Sequence, residues 1–205
     1  MADMRAFRDA VTDWAAGGAD EPAHALAAQL EVRTAVLLEG PSDLAAVETL
    51  AALRGRDLAD EGVCVVPMGG AMSVGRYAGI LGRTGLGLRL TGLCDERERG
   101  YYDRALDRAR APRDGIFVCV RDLEEELIRA LGVARVEEIV EDEGDLRAWR
   151  TFVRQPAQRS QSPEQQLRRF LGTKKGRKIR YGTLLVGALD GGRTPAPLDD
   201  LLASL

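Results

Sequence analysis

Residues 34–43 read TAVLLEGPSD, and this stretch decides the fold. Five consecutive residues rich in β-branched and aliphatic side chains are too short for a helix and read as a buried strand over Thr34–Leu38. The following Glu39-Gly40-Pro41 is a tight turn, and Ser42 opens a helix that runs to about Arg54. The same unit recurs downstream. Strands are expected at Gly62–Val66, Leu88–Cys94 and Ile116–Val120, and helices at Ser73–Leu81, Tyr101–Arg110 and Leu123–Leu131. Continuous apolar strands alternating with helices predict an α/β fold with a mostly parallel four-stranded sheet flanked by helices. Upstream, residues 4–16 and 22–31 have helical periodicity, broken at Gly17-Gly18. Past Gly132 the β signal stops: residues 134–153 read as helical, 155–163 (QPAQRSQSP) as a polar linker, and two or three helices follow. The chain thus divides into an N-terminal helical appendage (1–32), an α/β core (33–133) and a basic helical extension packing on that core (134–205).

At 205 residues, 45% hydrophobic and 30% charged, the chain can bury a sizeable core. No run approaches the roughly 20 apolar residues of a membrane span, and the opening MADMR lacks the apolar stretch of a signal peptide, so a cytoplasmic protein with no membrane partner is expected. Cys64, Cys94 and Cys119 are odd in number and far apart, each within an apolar segment, which predicts buried free thiols. The net charge of −3 conceals a segregation. From Arg147 to Arg180 eleven Lys or Arg face a single acid, Glu164, so this segment carries about +10 and the remainder about −13. Such a block suits nucleic-acid phosphates, with Arg168, Arg169, Lys174, Lys175, Arg177 and Arg180 as candidate contacts. Its ordinary alternative is a solvated helix face.

Ligands of open parallel sheets bind outside the carboxyl ends of the strands. Three of the four endings here are acidic. Glu39 leaves the first strand and Asp43 lies in the first turn of the next helix; Asp95, Glu96 and Glu98 follow the third strand; Asp122, Glu124 and Glu125 follow the fourth. The second strand ends instead in Gly69-Gly70, which lets backbone approach a phosphate or a ligand closely. Carboxylates gathered at one edge repel unless a hard cation with oxygen ligands neutralises them, which points to magnesium or manganese. Taken singly, each acid also has a plain structural use, such as the helix N-caps that suit Ser42 and Asp122.

The motifs LLEGPSD (37–43), Gly-Gly after the next strand and LCDERE (93–98) together resemble a TOPRIM domain, a Rossmann-like metal-binding α/β module. More narrowly, VVPMGGAMSVGRY, GLCDERE and VRDLEEELIRALG are similar to the TOPRIM portion of OLD (overcoming lysogenization defect) family endonucleases, over about residues 34–190. The resemblance implies a divalent-metal-dependent nuclease acting on DNA, with one or two ions. It makes Glu39 a metal ligand and acid/base group, and Asp43 and Asp95 further ligands. Arg97 replaces the second acid of the DxD motif, with Glu98 or Glu96 beside it as substitute, and Asp122 and Glu124 resemble acids that hold a second ion. Lys178 resembles a catalytic lysine at a helix start, where Ile179 replaces the usual Gly. By this analogy one ion lowers the pKa of a water and the second stabilises the leaving oxygen, while the lysine adds charge to the transition state.

OLD nucleases also carry an ABC-type ATPase, and this sequence has no GxxxxGK[ST]. The expectation is therefore a nuclease that acts alone or with an ATPase in trans. The alternative, motivated by Arg97 and the missing ATPase, is a non-catalytic nucleic-acid-binding or regulatory module that docks such a partner; a homodimer is compatible with either. A Rossmann-type nucleotide site is disfavoured, because EGPSD stands where GxGxxG belongs and a carboxylate there repels a pyrophosphate. The remaining candidates have bland expectations. His24 is a surface residue without catalytic partners, Trp14 packs between helices, and Tyr101-Tyr102 belong to the core or the site rim. Trp149 and Phe152 are packing residues next to the basic run, where they could also stack on an unpaired base.

Overall fold

A computed structural model describes residues 3–174, 176–190 and 192–205. Two helices, α1 (Met4–Ala15) and α2 (Glu21–Gln29), precede β1 (Thr34–Leu38). The chain then alternates through α3 (Pro41–Leu53), β2 (Val63–Pro67), α4 (Val74–Leu81), β3 (Arg89–Asp95), α5 (Arg99–Ala109), β4 (Ile116–Cys119) and α6 (Leu123–Leu131). It finishes in five helices: α7 (Val133–Asp142), α8 (Leu146–Val153), α9 (Pro163–Leu171), α10 (Arg177–Gly187) and α11 (Ala196–Ser204).

The four strands form one parallel sheet in the order β2-β1-β3-β4. The expected α/β class and parallel four-stranded sheet are both present. Strand order reverses between β1 and β3, which opens the crevice where ligands of such sheets bind. The register pairs Leu37 with Gly92, so Glu39 and Asp95 emerge side by side at that crevice. Gly92 is required for this closeness, since a Cβ there would lie 2.2 Å from the Leu37 carbonyl oxygen.

Alternation along the strands builds two cores. Val36, Leu38, Val65, Leu93 and Cys119 pack under α3 and α6–α11. Ala35, Leu37, Cys64, Val66 and Cys94 pack under α1, α2, α4 and α5. Phe7 and Val11 of α1 are fully buried, so the first helix completes the second core. All three cysteines are buried free thiols, as expected.

Three local readings are refined. The stretch 134–153 is helical as expected and divides into α7 and α8 where Gly144 takes a left-handed φ of 73°. The polar stretch 155–163 contains a short 3-10 turn over Pro156–Gln158 that buries Gln158 against the fold, so it is more than a linker. Ser42 lies in the first turn of α3 and is buried, while Gly40 takes the N-cap position and its N–H donates to Asp43 Oδ2 at 2.9 Å. Among the described residues, no helix is long and apolar enough to cross a membrane.

Candidate metal centre

Each carboxylate of the site is placed by the end of a strand. Glu39 follows β1, and its backbone is clamped from the neighbouring β2: the Met68 N–H donates to the Leu38 carbonyl and the Gly70 N–H to the Glu39 carbonyl, both at 2.9 Å. Gly69 and Gly70 have φ of 73° and 123°, values that few other residues adopt, so the paired glycines make this clamp possible. Asp95 is the last residue of β3, and Glu98 lies one short 3-10 turn later, at the start of α5.

Glu39, Asp95 and Glu98 each offer a carboxylate oxygen, and these oxygens all lie within 4.8 Å of one another. Glu98 Oε2 is buried with no hydrogen-bond partner. Burial first, then the charges of Asp122, Glu39, Glu98 and Asp43, push the Asp95 carboxyl up to about 8. Burial and the neighbouring Glu39 carboxylate push Glu98 up to about 7. Carboxylates this close repel one another unless a cation lies between them. An all-carboxylate donor set with one oxygen unsatisfied fits a hard divalent ion and offers no soft ligand for zinc or copper. The buried Cys94 beside Asp95 is itself pushed up to about 12 by burial and stays a thiol.

The other predicted acids lie around this trio and are already engaged. Asp43 accepts the Gly40 N–H, and burial raises its carboxyl pKa although Lys178 opposes the shift. Asp122 caps α6, accepting the Glu125 N–H at 2.9 Å, as its expected N-cap role requires, and it also pairs with Arg168. Glu124 is buried and pairs with Lys178 Nζ at 3.2 Å; burial pushes its carboxyl to about 7 against the pull of that lysine. Burial opposes the Lys178 charge, but Glu124, Asp43 and Asp122 outweigh it and hold the ammonium above its ordinary value. The structure thus gathers Glu39, Asp95 and Glu98 into one cluster, with Asp43, Glu124 and Lys178 as one flank and Asp122 with Arg168 as another.

Delivery of Lys178 depends on a close helix contact. A Cβ on Gly182 would lie 2.9 Å from the Ser42 carbonyl, so α10 can approach α3 only with glycine there, and Lys178 sits one turn earlier on α10.

The basic candidates separate by burial. Arg169 and Lys174 are exposed, and Lys175 lies outside the described residues. Arg177 is buried: it spans Asp145 at 3.1 Å, donates to Thr173 Oγ1 at 2.6 Å and covers the Phe170 ring at 4.1 Å. Arg180 pairs with Glu143. Trp149 donates to Glu137 at 3.0 Å and packs on Phe152 and Phe170, leaving no free ring face for a base. His24 is exposed beside Asp20, and Trp14 packs against its ring. Tyr102 is fully buried, whereas Tyr101 is 40% exposed at the rim.

Sequence reading missed the Tyr102 hydroxyl. It is buried without a partner, and the charges of Asp43, Glu98 and Glu39 act on it. Its signal was the four-residue spacing from Glu98, which places both on one side of α5.

The fold and the acid trio define a TOPRIM-type α/β module with a site able to hold a divalent ion. Residues 32–96 match the family model described as "Overcoming lysogenization defect protein-like, TOPRIM domain", and the chain carries an OLD-like TOPRIM domain there. Solved structures share the fold over 84% of this chain. The C-terminal region of the Burkholderia pseudomallei OLD protein matches with a TM-score of 0.63 at 21% identity, covering 96% of that chain. The C-terminal region of the Xanthomonas campestris pv. campestris OLD protein matches with a TM-score of 0.61 at 23% identity, covering 93% of that chain. No curated protein matches in sequence.

Proposed function

We propose that this protein is a divalent-metal-dependent nuclease that hydrolyses DNA phosphodiester bonds. The observation that carries this reading is the cluster of Glu39, Asp95 and Glu98 at the β1/β3 crevice, with an ammonium delivered beside it by α10. Glu39, Asp95 and Glu98 would hold the ion. Magnesium or manganese held there supplies Lewis-acid polarisation of the phosphoryl group and a water acidic enough to attack it.

The protein's own groups do the rest. The Gly70 N–H fixes the strand end from which Glu39 projects, so that carboxylate is positioned before any ligand arrives. Glu124 and Asp43 keep Lys178 charged and hold its Nζ at the edge of the cluster, where it can stabilise charge developing on phosphate oxygens. Arg168, tied to Asp122, and the exposed Arg169 and Lys174 present positive charge to the strand backbone.

Nicking of supercoiled plasmid in Mg²⁺ or Mn²⁺ tests the reading. Wild type is expected to cut, Glu39→Ala and EDTA to abolish cutting, and Lys178→Met to slow it by about 10² or more while leaving Mn²⁺ affinity unchanged. If wild type fails to cut with either metal, the non-catalytic nucleic-acid-binding reading replaces this one.

A further inference from the structure

A cavity of about 420 Å³ opens directly beside Asp95 and Glu98, and its other walls are Arg97, Arg121, Arg168 and Arg169 with the amides of Gln161 and Gln165. These residues come from separate parts of the chain. Arg97 lies in the turn after β3 and Arg121 in the turn after β4; Gln161 precedes α9, and Gln165, Arg168 and Arg169 share one face of α9 through their spacing of three and four. Two of the guanidinium groups are partly spent, Arg121 on Glu125 at 3.1 Å and Arg168 on Asp122. The side chains of Arg97 and Arg169 are exposed and take part in no ion pair among the described residues.

With Arg121 and Arg168 already paired, Arg97 and Arg169 are the guanidinium groups at this cavity left to take up an anion. The planar guanidinium fork matches phosphate oxygens, and the two amides add neutral donors of the kind that also bind phosphate. Asp95 and Glu98 of the carboxylate cluster line the same cavity as these cationic groups. An anion that fills the cavity and also reaches a cation held by those carboxylates is a run of successive phosphates, not an isolated one. We propose that Arg97 and Arg169, assisted by Arg121, Arg168, Gln161 and Gln165, form the subsite for the phosphate adjacent to the one cleaved. The proposal rests on the nuclease reading above. Arg97 then has a positive role: the position where the resemblance expects a metal-binding acid holds the strand instead, and Glu98 supplies the carboxylate.

Binding of a fluorescent single-stranded DNA oligonucleotide, read by anisotropy in EDTA across a salt series, separates this role from catalysis. Arg97→Ala and Arg169→Ala should each weaken binding severalfold and lower the slope of log affinity against log salt by about 0.7. Arg97→Asp, which restores the acid of the motif, should weaken binding further. Mn²⁺ affinity of Arg97→Ala, read by electron paramagnetic resonance, should match wild type. Arg83→Ala, an exposed arginine before the amino end of β3, should bind DNA as wild type does. Wild-type affinity and slope in the Arg97→Ala/Arg169→Ala double variant would overturn the subsite and leave the nuclease reading standing. An equal loss in Arg83→Ala would also overturn it, since diffuse charge would then explain the effect. Failure of wild type to bind DNA in EDTA or in Ca²⁺ would remove both.

Discussion

Asp95 stands at the centre of the electrostatics, because the charges of Asp122, Glu39, Glu98 and Asp43 all add to its burial and push its carboxyl to about 8. A carboxyl raised this far binds its proton more tightly in the folded than in the unfolded chain. Stability from this group is therefore complete below the ordinary carboxylate range and is lost as pH rises toward about 8. The metal-free protein should melt at progressively lower temperature between about pH 5 and about pH 8, and Mn²⁺ should raise the melting temperature most at the alkaline end. Asp95→Asn removes the repulsion and one ligand together. It should melt higher than wild type without metal at about pH 8 and gain little from Mn²⁺; thermal melts in EDTA and in Mn²⁺ decide this, and a Mn²⁺ gain equal to wild type would remove Asp95 from the centre. At this scale much was legible, since Glu39, Asp95 and Glu98 all follow strand ends. The engagement of Asp122 with Arg168 and of Glu124 with Lys178 was not, because each pair joins residues more than 40 positions apart. The DxD departure at Arg97 was legible as a lost acid, but its use depends on α9, which sequence alone does not bring there.

Among the elements, α10 has the narrowest tolerance. It lies along α3 with Gly182 against the Ser42 carbonyl, and one turn earlier Lys178 reaches Glu124. A methyl group at 182 would sit 2.9 Å from that oxygen, so Gly182→Ala must move one helix away from the other. The variant should lose about 1–3 kcal/mol in urea unfolding through overpacking, and a larger side chain such as Val should lose more. Because the shift acts on the helix that carries Lys178, plasmid cleavage by folded Gly182→Ala should fall while its Mn²⁺ affinity holds. An unchanged unfolding midpoint would show that the contact is soft. The sequence made α10 legible as a basic helix but gave no sign that Gly182 is a contact, since a glycine in a helix reads only as a weakness until its partner is known. The basic run was also overcounted. Arg177 points inward to Asp145 and Phe170, and only burial distinguishes it from its exposed neighbours.

Across the whole molecule, strand order matters more than any single motif. Alternating strands and helices in sequence fit several orders, and the observed order β2-β1-β3-β4 places the ends of β1 and β3 side by side at a reversal. That reversal brings the acidic turns against the face covered by the basic C-terminal helices, so the two halves of the charge segregation meet at one edge. Without a metal this edge holds the repelling trio of Glu39, Asp95 and Glu98, next to Arg97 and Arg169. A divalent ion replaces that repulsion with attraction for phosphate, so metal and DNA should bind cooperatively. The affinity of wild type for a DNA oligonucleotide should rise on replacing EDTA with Ca²⁺ at matched ionic strength. At about pH 8 and above, where the metal-free Asp95 is ionised, Asp95→Asn should bind DNA more tightly than wild type in EDTA and respond less to Ca²⁺, because part of the repulsion has already been removed. Reciprocity requires DNA to tighten Ca²⁺ binding by the same factor, which titration calorimetry with and without the oligonucleotide measures. Equal affinities in EDTA and Ca²⁺ would mean that the basic helices hold DNA away from the β1/β3 crevice, and the carboxylates would then have to act on a different phosphate-bearing ligand.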